Sequence, residues 1–242
     1  MTQLPVLPML PIERKPLQAA VKRASDLLLA FSALIVLSPV MLIAAAGILI
    51  CDPGPVFYKA RRMGKDMKEV TMYKFRTMRV GSDKQGAITG VNDSRVFSWG
   101  EILRKTKIDE LPQLVNIIKG EMSVVGPRPE DVDIVNDYYT EKEKLTLKVL
   151  PGLACPGSIF NYTHGDKYLS GDDAGTAYTD RFLHIKLALD IYYLRHWSLA
   201  YDVSIIIRTV KAITDTMRGG KGADYPVEYK KIREMRRWRR KS

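Results

Sequence analysis

The longest hydrophobic stretch of the chain is Leu27 to Cys51, which has 25 residues and no ionisable group other than the terminal thiol. A straight helix of that length would reach roughly 37 Å, enough to cross a hydrocarbon layer of about 30 Å. The stretch is also too long for the apolar core of a secretory signal peptide. A single membrane span is therefore its simplest interpretation.

Two features of this stretch favour a re-entrant hairpin over a span. Ser38-Pro39 lies at its middle, where proline removes a backbone hydrogen bond and bends a helix, and where the serine hydroxyl can bond to freed backbone groups. Lys22-Arg23 precede the stretch and basic residues within Lys59 to Arg62 follow it, so the positive-inside rule places both ends on the cytoplasmic face. We predict a membrane helix that enters, breaks at Ser38-Pro39 and returns.

The polar part of the chain alternates between strand-like and helix-like patterns. Runs of β-branched and aromatic residues around Gly64-Lys65-Asp66 predict a small β-hairpin. Apolar residues at helical spacing predict two short helices across Trp99 to Lys119, interrupted at Pro112, and a polar helix over Asp131 to Lys148. Pro151 to Thr176 is predicted to be irregular.

A helical pair follows, Ala177 to Arg195 and Leu199 to Thr216, whose apolar stripe suits either a core or a membrane interface. The elements together predict an α+β, mainly helical, monotopic membrane protein with a Ser-Pro-kinked re-entrant helix, a small β-hairpin and interfacial amphipathic helices. We predict a flexible leader at 1–20, the re-entrant helix at 21–52, a cytosolic-face domain at 53–220 and a basic tail at 221–242.

Composition and charge narrow the class of partner. With 46% hydrophobic and 27% charged residues, the chain folds around a core. Its net charge of +11 predicts an anionic partner: nucleic acid, an acidic membrane surface or a phosphorylated substrate. More than half of the excess positive charge lies in Val227 to Ser242. Cys51 and Cys155 lack metal-ligand spacing, which predicts reduced thiols.

Asp109-Glu110 is the motif that best suits chemistry. These adjacent carboxylates follow the basic run Arg104 to Lys107 and precede Arg128 within Gly126-Pro127-Arg128-Pro129. A carboxylate can attack phosphorus, its neighbour can hold Mg²⁺, and arginines can clamp phosphate oxygens. Taken alone, adjacent Asp and Glu on a helix usually indicate a solvated surface. The chain has no glycine fingerprint, zinc spacing or serine-nucleophile motif, and its three histidines form no metal pattern.

Three blocks extend this motif: MYKFRTM at Met72 to Met78, LRKTKIDELPQLVNIIKGEMSVVGPRP at Leu103 to Pro129, and LDIYYLRHWSLAYD at Leu189 to Asp202. With these blocks and the basic pair before a Ser-Pro-broken helix, the chain closely resembles the bacterial sugar transferase family. The members are monotopic phosphoglycosyl transferases that act on polyprenol phosphate. The resemblance runs from about Lys22 to Val210.

The resemblance implies a mechanism and a set of site residues. Asp109 would attack the β-phosphate of a UDP-sugar, release UMP and pass the phosphosugar to undecaprenyl phosphate, while Glu110 would help to hold Mg²⁺. Arg76 could instead form a salt bridge to a buried acid, and Asp190 and Tyr193 would be supporting or close to the nucleotide. The residues expected to contact substrate are Lys74, Arg76, Arg104, Arg128, Asp190 and Tyr193.

The same resemblance implies a bacterial inner-membrane enzyme, catalytic on the cytosolic face, that initiates exopolysaccharide, capsule or O-antigen synthesis. Its expected partners are a UDP-sugar, undecaprenyl phosphate and membrane lipids, without nucleic acid and with a homodimer as one possible assembly. Pro151 to Ser158 departs from the family sequence, so the sugar is not inferred. Two alternatives stay open: a noncatalytic membrane adaptor that recruits acidic partners through its basic tail, and a nucleic-acid binder with salt-dependent affinity.

Overall fold

The apolar stretch folds as part of one long helix, α1 (Pro16–Cys51), in the computed structural model of the chain. The structure describes residues 16–82, 93–169, 174–218 and 225–239. Within these ranges α1 is the one helix long and apolar enough to cross a membrane. Residues 1–15 of the predicted leader lie outside the described residues.

α1 stays helical across Ser38 and Pro39. Proline has no N–H, so Pro39 leaves the carbonyl of Ile35 without its usual helical donor. The Ser38 hydroxyl donates a hydrogen bond of 2.8 Å to that carbonyl oxygen. The serine therefore replaces the bond that the proline removes, as the sequence suggested, while the break and the re-entrant course stay predictions.

The two halves of α1 are buried at separate points, with an exposed middle between them. Asp26 and Ala30 are buried in the first half, and Ala44 and Ile48 are buried in the second. Between them most of the large apolar side chains are exposed, with 73% of Ile35 and 72% of Leu42 accessible. Exposed apolar surface of this extent is unfavourable in water, so an apolar environment is expected to cover it.

The predicted hairpin is confirmed. Strand β1 (Phe57–Met63) pairs antiparallel with β2 (Glu69–Phe75). The connecting 3₁₀ turn, Lys65–Met67, contains Asp66 at a left-handed φ of 54°. Ala60 and Met72 lie opposite each other and pack in one buried cluster with Ala30 of α1, which ties the hairpin to the first half of the membrane helix.

The two short helices predicted across Trp99 to Lys119 are also confirmed. They are α2 (Ser98–Thr106) and α3 (Gln113–Lys119), joined by a 3₁₀ turn, Ile108–Glu110. Pro112 immediately precedes α3, where the missing N–H of proline costs no helical bond. Gly120 ends α3 with a φ of 84°, a conformation that glycine adopts without strain.

The prediction that Pro151 to Thr176 is irregular was wrong. Strand β4 (Gly152–Ala154) pairs in parallel with β3 (Ser123–Val125), and Pro156–Leu169 form α5. Pro156 and Gly157 resemble turn residues, but proline is also favoured in the first turn of a helix. A Cβ on Gly157 would lie 2.9 Å from both carboxylate oxygens of Asp190, so the glycine permits close packing of α5.

The single polar helix predicted over Asp131 to Lys148 was wrong as well. The segment forms α4 (Val132–Tyr138) and a separate 3₁₀ helix, Glu143–Lys148. Asp131 caps α4 by accepting a 3.1 Å hydrogen bond from the amide of Asp133. Glu143 accepts from both the amide and the hydroxyl of Thr140, at 2.9 and 2.8 Å, and so begins a second helix within the same polar run.

The final helical pair is confirmed, with different surroundings for its two members. After α6 (Ala174–Ala177) and a π-helix (Tyr178–Phe182) come α7 (Leu183–Arg195) and α8 (Leu199–Met217). α7 contributes Leu183, Leu189 and Tyr192 to the main hydrophobic core. α8 instead exposes an apolar stripe, with Val203 and Ile207 at 56% and 64% exposure.

The basic tail contains a further helix, α9 (Val227–Arg239). Glu228 at its start is buried and accepts hydrogen bonds of 2.7 and 2.8 Å from Arg208 of α8. This ion pair holds α9 against α8. The chain is thus a mainly helical α+β protein with a small antiparallel hairpin and one long apolar N-terminal helix, which agrees with the predicted fold class at this level.

Candidate functional site

Asp109 and Glu110 lie in the 3₁₀ turn between α2 and α3, and both are buried, with exposures of 7% and 6%. Lys107 ends α2 in a left-handed conformation with φ of 59° and turns the chain ahead of the carboxylates. The amide of Glu110 donates a 3.2 Å hydrogen bond to the carbonyl of Lys107. The dipeptide is therefore held in a fixed buried turn and is not a solvated surface pair.

Glu110 is paired with two cations that come from other elements. Arg128 donates a 3.0 Å hydrogen bond from Nη1 to Oε2, and its Nη2 contacts Oε1. Lys74 of β2 places Nζ 3.5 Å from Oε1. Burial opposes ionisation of Glu110, but the attraction of Arg128, Lys74 and Lys107 outweighs it and lowers the pKa of the carboxyl. Glu110 is therefore a paired anion at neutral pH.

Asp109 has the opposite environment. Its Oδ1 is buried and has no hydrogen-bond partner within the ranges that the structure describes. Burial and the negative charge of Glu110 raise the pKa of Asp109, and Lys74, Lys107 and Arg104 only partly offset that rise. An unpaired buried acceptor costs about 1–3 kcal/mol, so Asp109 is primed for a ligand that supplies the missing contact.

Arg104 and Lys107 are two cations of the basic run before Asp109 whose charges act on its carboxylate. Asp109 is the strongest attractive charge acting on Arg104, whose Nη1 is buried and lacks a hydrogen-bond partner in the described part of the chain. Lys107 lies over the ring of Tyr162, with Nζ 4.3 Å from the ring centroid. Burial lowers the pKa of both Arg104 and Lys107.

Arg128 is positioned by a tight loop that follows β3. The amide of Gly126 donates a 3.0 Å hydrogen bond to Ala154, and the amide of Gly152 donates a 2.8 Å bond to Pro127. A Cβ on Gly152 would lie 2.1 Å from the nitrogen of Gly126, so only glycine allows this approach. The prolines on either side of Arg128 fix their own φ angles and stiffen the loop.

Asp190, a predicted site residue, lies behind this loop. It is buried on α7 and accepts a 2.8 Å hydrogen bond from the amide of Gly157, and the backbone amide of Arg128 also favours its carboxylate form. Burial raises the pKa of Asp190 to about 6. The structure therefore joins Asp190 to the site through the backbone that carries Arg128.

Tyr193 and Arg76, two further predicted site residues, have their contacts elsewhere. The Tyr193 hydroxyl donates a 2.6 Å hydrogen bond to Asp202. The Arg76 guanidinium contacts the carboxylate of Asp52 and donates a 2.6 Å bond to the carbonyl of Pro55. Arg76 thus forms a salt bridge, the alternative role that the sequence offered, although its partner Asp52 is only partly buried. The structure gathers Lys74, Arg104, Asp109, Glu110 and Arg128.

Sequence reasoning did not single out Lys107, Tyr162 or the partner of the first half of α1. Lys107 belongs to a basic run in which spacing does not separate it from the exposed Lys105. Tyr162 lies in the segment expected to be irregular. Asp202 accepts a 2.8 Å hydrogen bond from Lys22, a pair 180 residues apart that no local pattern indicates.

The predicted Mg²⁺ fits these residues as part of a shared coordination set. Within the described ranges, no group of three or more His, Cys, Asp or Glu side chains is placed to hold a metal ion. Mg²⁺ is commonly held by one or two carboxylates together with substrate phosphates. The free Oδ1 of Asp109 and the adjacent Glu110 would supply the carboxylate part of such a set.

The arrangement suits chemistry on a phosphate. Four cations act on two carboxylates, an excess of positive charge that attracts an anion more strongly in a buried site than in water. A carboxylate with a free oxygen can attack phosphorus while cations stabilise the charge that develops on the phosphate oxygens. The four cations are Lys74, Arg104, Lys107 and Arg128.

Comparisons with known proteins point to the same chemistry. Residues 17–216 match the family described as bacterial sugar transferase. A UDP-N-acetylgalactosamine-undecaprenyl-phosphate N-acetylgalactosaminephosphotransferase of Aeromonas hydrophila is 35% identical over 201 residues, which cover 82% of this chain and 44% of that protein. The UDP-glucose:undecaprenyl-phosphate glucose-1-phosphate transferase of Escherichia coli (strain K12) is 34% identical over 213 residues, covering 87% of this chain and 44% of that protein.

A shorter relative matches over nearly its whole length. The exopolysaccharide production protein PSS of Rhizobium leguminosarum bv. phaseoli is 36% identical over 212 residues, which cover 82% of this chain and 96% of that protein. The present chain therefore spans less than half of the Aeromonas and Escherichia proteins and corresponds in extent to the Rhizobium protein.

Proposed function

Because the chain belongs to the bacterial sugar transferase family, we propose that it transfers a sugar 1-phosphate from a UDP-sugar to undecaprenyl phosphate. The products are UMP and a sugar linked to the lipid through a diphosphate, the first intermediate of a lipid-linked glycan. The names of the Aeromonas and Escherichia relatives support both substrates, and the name of the Rhizobium relative supports an exopolysaccharide product.

One observation carries the proposal: Asp109 has a buried carboxylate oxygen without a partner, inside a cluster of cations. In the first step this oxygen attacks the β-phosphorus of the UDP-sugar. The bond between that phosphorus and the bridging oxygen breaks, and UMP leaves with the bridging oxygen and its electron pair. The sugar phosphate is now an acyl phosphate on Asp109.

In the second step an oxygen of undecaprenyl phosphate attacks the same phosphorus. The acyl phosphate bond breaks, the carboxylate of Asp109 is regenerated, and the lipid diphosphate-linked sugar leaves. The raised pKa of Asp109 describes the side chain before substrate binds. The reaction uses the carboxylate form, so activity is expected to fall as Asp109 becomes protonated.

The surrounding cations have separable roles in this scheme. Arg128 and Lys74 neutralise Glu110 and keep its charge from repelling the diphosphate. Arg104 has a buried Nη1 without a partner and is attracted by the charge of Asp109, so it would contact a phosphate oxygen. Asp190 holds the backbone of Arg128 in place and acts as a positioning residue. Mg²⁺ held by Glu110, Asp109 and the diphosphate would add further charge neutralisation at phosphorus.

Contacts at both halves of α1 support a re-entrant membrane anchor. In the first half, Lys22 pairs with Asp202, and Arg23 donates a 2.7 Å hydrogen bond to the carbonyl of Ile117. In the second half, the carbonyl of Ala44 accepts a 3.2 Å hydrogen bond from Trp99. A segment that enters and leaves on one face of the bilayer is expected to contact the same cytosolic domain on both sides of an exposed apolar middle.

The surface of α8 and α9 supports an interfacial position for the domain. α8 exposes Val203, Ile207 and Val210 along one stripe, and the neighbouring α9 belongs to a tail with a net charge of +6. An apolar stripe beside a basic helix suits the headgroup region of an anionic membrane. The proposed location is the cytosolic face of the bacterial inner membrane, where a soluble nucleotide sugar meets a lipid phosphate.

The experiment that tests the function is a screen for UMP release. The full chain in lipid nanodiscs is given a panel of UDP-sugars with undecaprenyl phosphate, with and without Mg²⁺. We expect one or a few sugars to yield UMP and a lipid-linked product, and Asp109→Asn to yield neither. Absence of UMP with every nucleotide sugar would contradict the proposal and favour the membrane-adaptor alternative.

A further inference from the structure

Lys107 occupies a backbone position that does not favour lysine. Its φ of 59° and ψ of 16° lie in the left-handed region, where a residue with a Cβ is strained by roughly 1–2 kcal/mol. Glycine or asparagine is the usual residue at such a helix end. A functional role of the lysine side chain would explain why lysine occupies this strained position.

The side chain of Lys107 is held by an aromatic ring and by no acceptor. Its ammonium lies 4.3 Å from the centroid of the Tyr162 ring on α5. Within the described residues it forms no hydrogen bond or ion pair, although both Asp109 and Glu110 attract its charge. A ring face binds an ammonium without using up its three N–H donors, so these donors stay available to a ligand.

Two other cations of the site, Arg128 and Lys74, differ from Lys107 because each is already paired with a carboxylate. Arg128 and Lys74 are committed to Glu110, whose two oxygens they share. Lys107 is two residues from Asp109 and on the same turn, and its charge is not consumed by a salt bridge. An incoming diphosphate therefore finds in Lys107 a cation that need not be released from another partner first.

We propose that Lys107 binds a phosphate oxygen of the nucleotide diphosphate donor while Asp109 attacks, and that Tyr162 is the positioning residue that holds the ammonium in place. The inference rests on the proposed transferase function and adds a donor-binding residue to it. It also links the sugar-nucleotide site to α5, whose first residues belong to the Pro151 to Ser158 segment that departs from the family sequence.

The test compares variants of the full chain in nanodiscs. Lys107→Met removes the charge, Lys107→Arg keeps it, and Lys107→Gly removes the side chain while relieving the strained backbone. Tyr162→Phe keeps the ring and Tyr162→Leu removes it. Lys105→Met is the matched control, because Lys105 is an exposed cation two residues away on α2.

We expect Lys107→Met and Lys107→Gly to lower kcat/KM for the UDP-sugar by about tenfold or more, since a charge-assisted contact to phosphate is lost. Lys107→Arg and Tyr162→Phe should retain most activity, and Tyr162→Leu should lose several-fold. Calorimetric binding of UDP should weaken about tenfold in Lys107→Met. Thermal unfolding of Lys107→Gly should occur at or above the wild-type temperature, which separates loss of the ammonium from misfolding.

The outcomes distinguish this inference from the function on which it rests. No UMP release and no UDP binding by the wild-type chain would overturn the transferase function itself. Wild-type kinetics and UDP affinity in Lys107→Met would overturn the role of Lys107 alone. A raised KM for undecaprenyl phosphate with unchanged donor kinetics would also overturn it, because Lys107 would then serve the lipid phosphate.

Discussion

At the residue scale, Asp109 and Glu110 show how adjacent identical charges acquire different roles. Glu110 accepts two contacts from Arg128 and one from Lys74, which stabilise its anion. Asp109 keeps a buried oxygen without a partner, so its anion is held at a cost. An unfavourable free energy at the reacting atom is typical of a nucleophile, because the contacts made on substrate binding can relieve it.

Asp109→Asn is expected to abolish UMP release and to stabilise the fold. The folded-state pKa of Asp109 is raised above its usual 3.8, so the folded wild type binds protons more tightly than the unfolded chain does. The wild type therefore loses stability as the pH rises from the unfolded-state pKa through the folded-state pKa. The variant lacks this loss. Its apparent Tm should exceed the wild-type Tm by a margin that grows from about pH 4 upward.

Glu110→Gln provides the opposite pH dependence as a control. The pKa of Glu110 is lowered from its usual 4.5, so its pairing stabilises the wild type above that pH and is lost in more acidic solution. The variant should be less stable than wild type at pH 7, and the deficit should shrink in acid. Thermal unfolding in detergent from pH 2 to 8 measures both variants, since the Glu110 contribution is lost only below about pH 4.5, and parallel curves for the two would contradict these assignments.

Arg128→Lys is expected to lower kcat/KM by about 10²-fold even though the charge is kept. Lysine cannot reproduce the two contacts that the guanidinium makes with Glu110. Arg61→Lys is the matched control, since Arg61 forms a similar pair with Glu69 on the exposed surface. That substitution should change the free energy of unfolding by less than about 0.5 kcal/mol and leave UMP release unchanged. Equal losses in both variants would contradict a special role for the buried pair.

Much of this residue-scale organisation could be predicted from the sequence. The residue pattern marked Asp109, Glu110 and Arg128 as a candidate site and the family resemblance added Lys74 and Arg104, and these side chains do lie close together in space. Partners such as Lys22 and Asp202 could not be predicted, because their contact depends on packing between elements at opposite ends of the chain. The alternation of β2 also did not reveal that Arg76, unlike Lys74, turns to Asp52.

At the element scale, short backbone contacts position the chemistry. β3 and β4 have three residues each, too few for a period-two pattern to be recognised, and their pairing sets the loop that carries Arg128. The hairpin of β1 and β2 was predictable because its longer strands flank a recognisable turn. α5 was not predicted because proline and glycine, as at Pro156 and Gly157, are typical of turns. The close packing against α7 that favours a helix here is not visible in the sequence.

Gly152→Ala tests this element-scale arrangement. The new Cβ would lie 2.1 Å from the nitrogen of Gly126, so the two strands must separate and the Arg128 loop must move. We expect at least about a 10²-fold loss of activity and a lowered Tm. Gly165→Ala is the control, because its Cβ within α5 would meet the movable Asn161 side chain at 3.3 Å and the Phe182 ring at an ordinary contact distance of 4.0 Å. Tolerance of alanine at Gly152 would contradict the proposed positioning.

At the scale of the whole molecule, the membrane helix and the site form one structure. α1 contacts α8 through Lys22 and Asp202, and contacts β3 through Asp26, which accepts hydrogen bonds of 2.7 and 3.0 Å from Ser123 and Val124. β3 leads directly into the loop that carries Arg128. The anchor and the carboxylate site are therefore connected through a chain of buried polar contacts.

The re-entrant anchor predicts that both ends of α1 face the cytosol. A Gln18→Cys/Cys51→Ser variant and the wild type, which has an exposed Cys51, should each react with an impermeant maleimide in inside-out vesicles but not in intact spheroplasts. The remaining Cys155 is buried and burial raises its pKa to about 12, so it should stay unlabelled. Labelling of one end in each preparation would indicate an ordinary span.

The most direct test of the central claim is intact-protein mass spectrometry of the full chain given its UDP-sugar without undecaprenyl phosphate. The account predicts a mass increase of one sugar phosphate, mapped to Asp109 by peptide analysis, lost on addition of undecaprenyl phosphate and missing in Asp109→Asn. UMP release without any adduct, or an adduct on another residue, would contradict the proposed covalent mechanism.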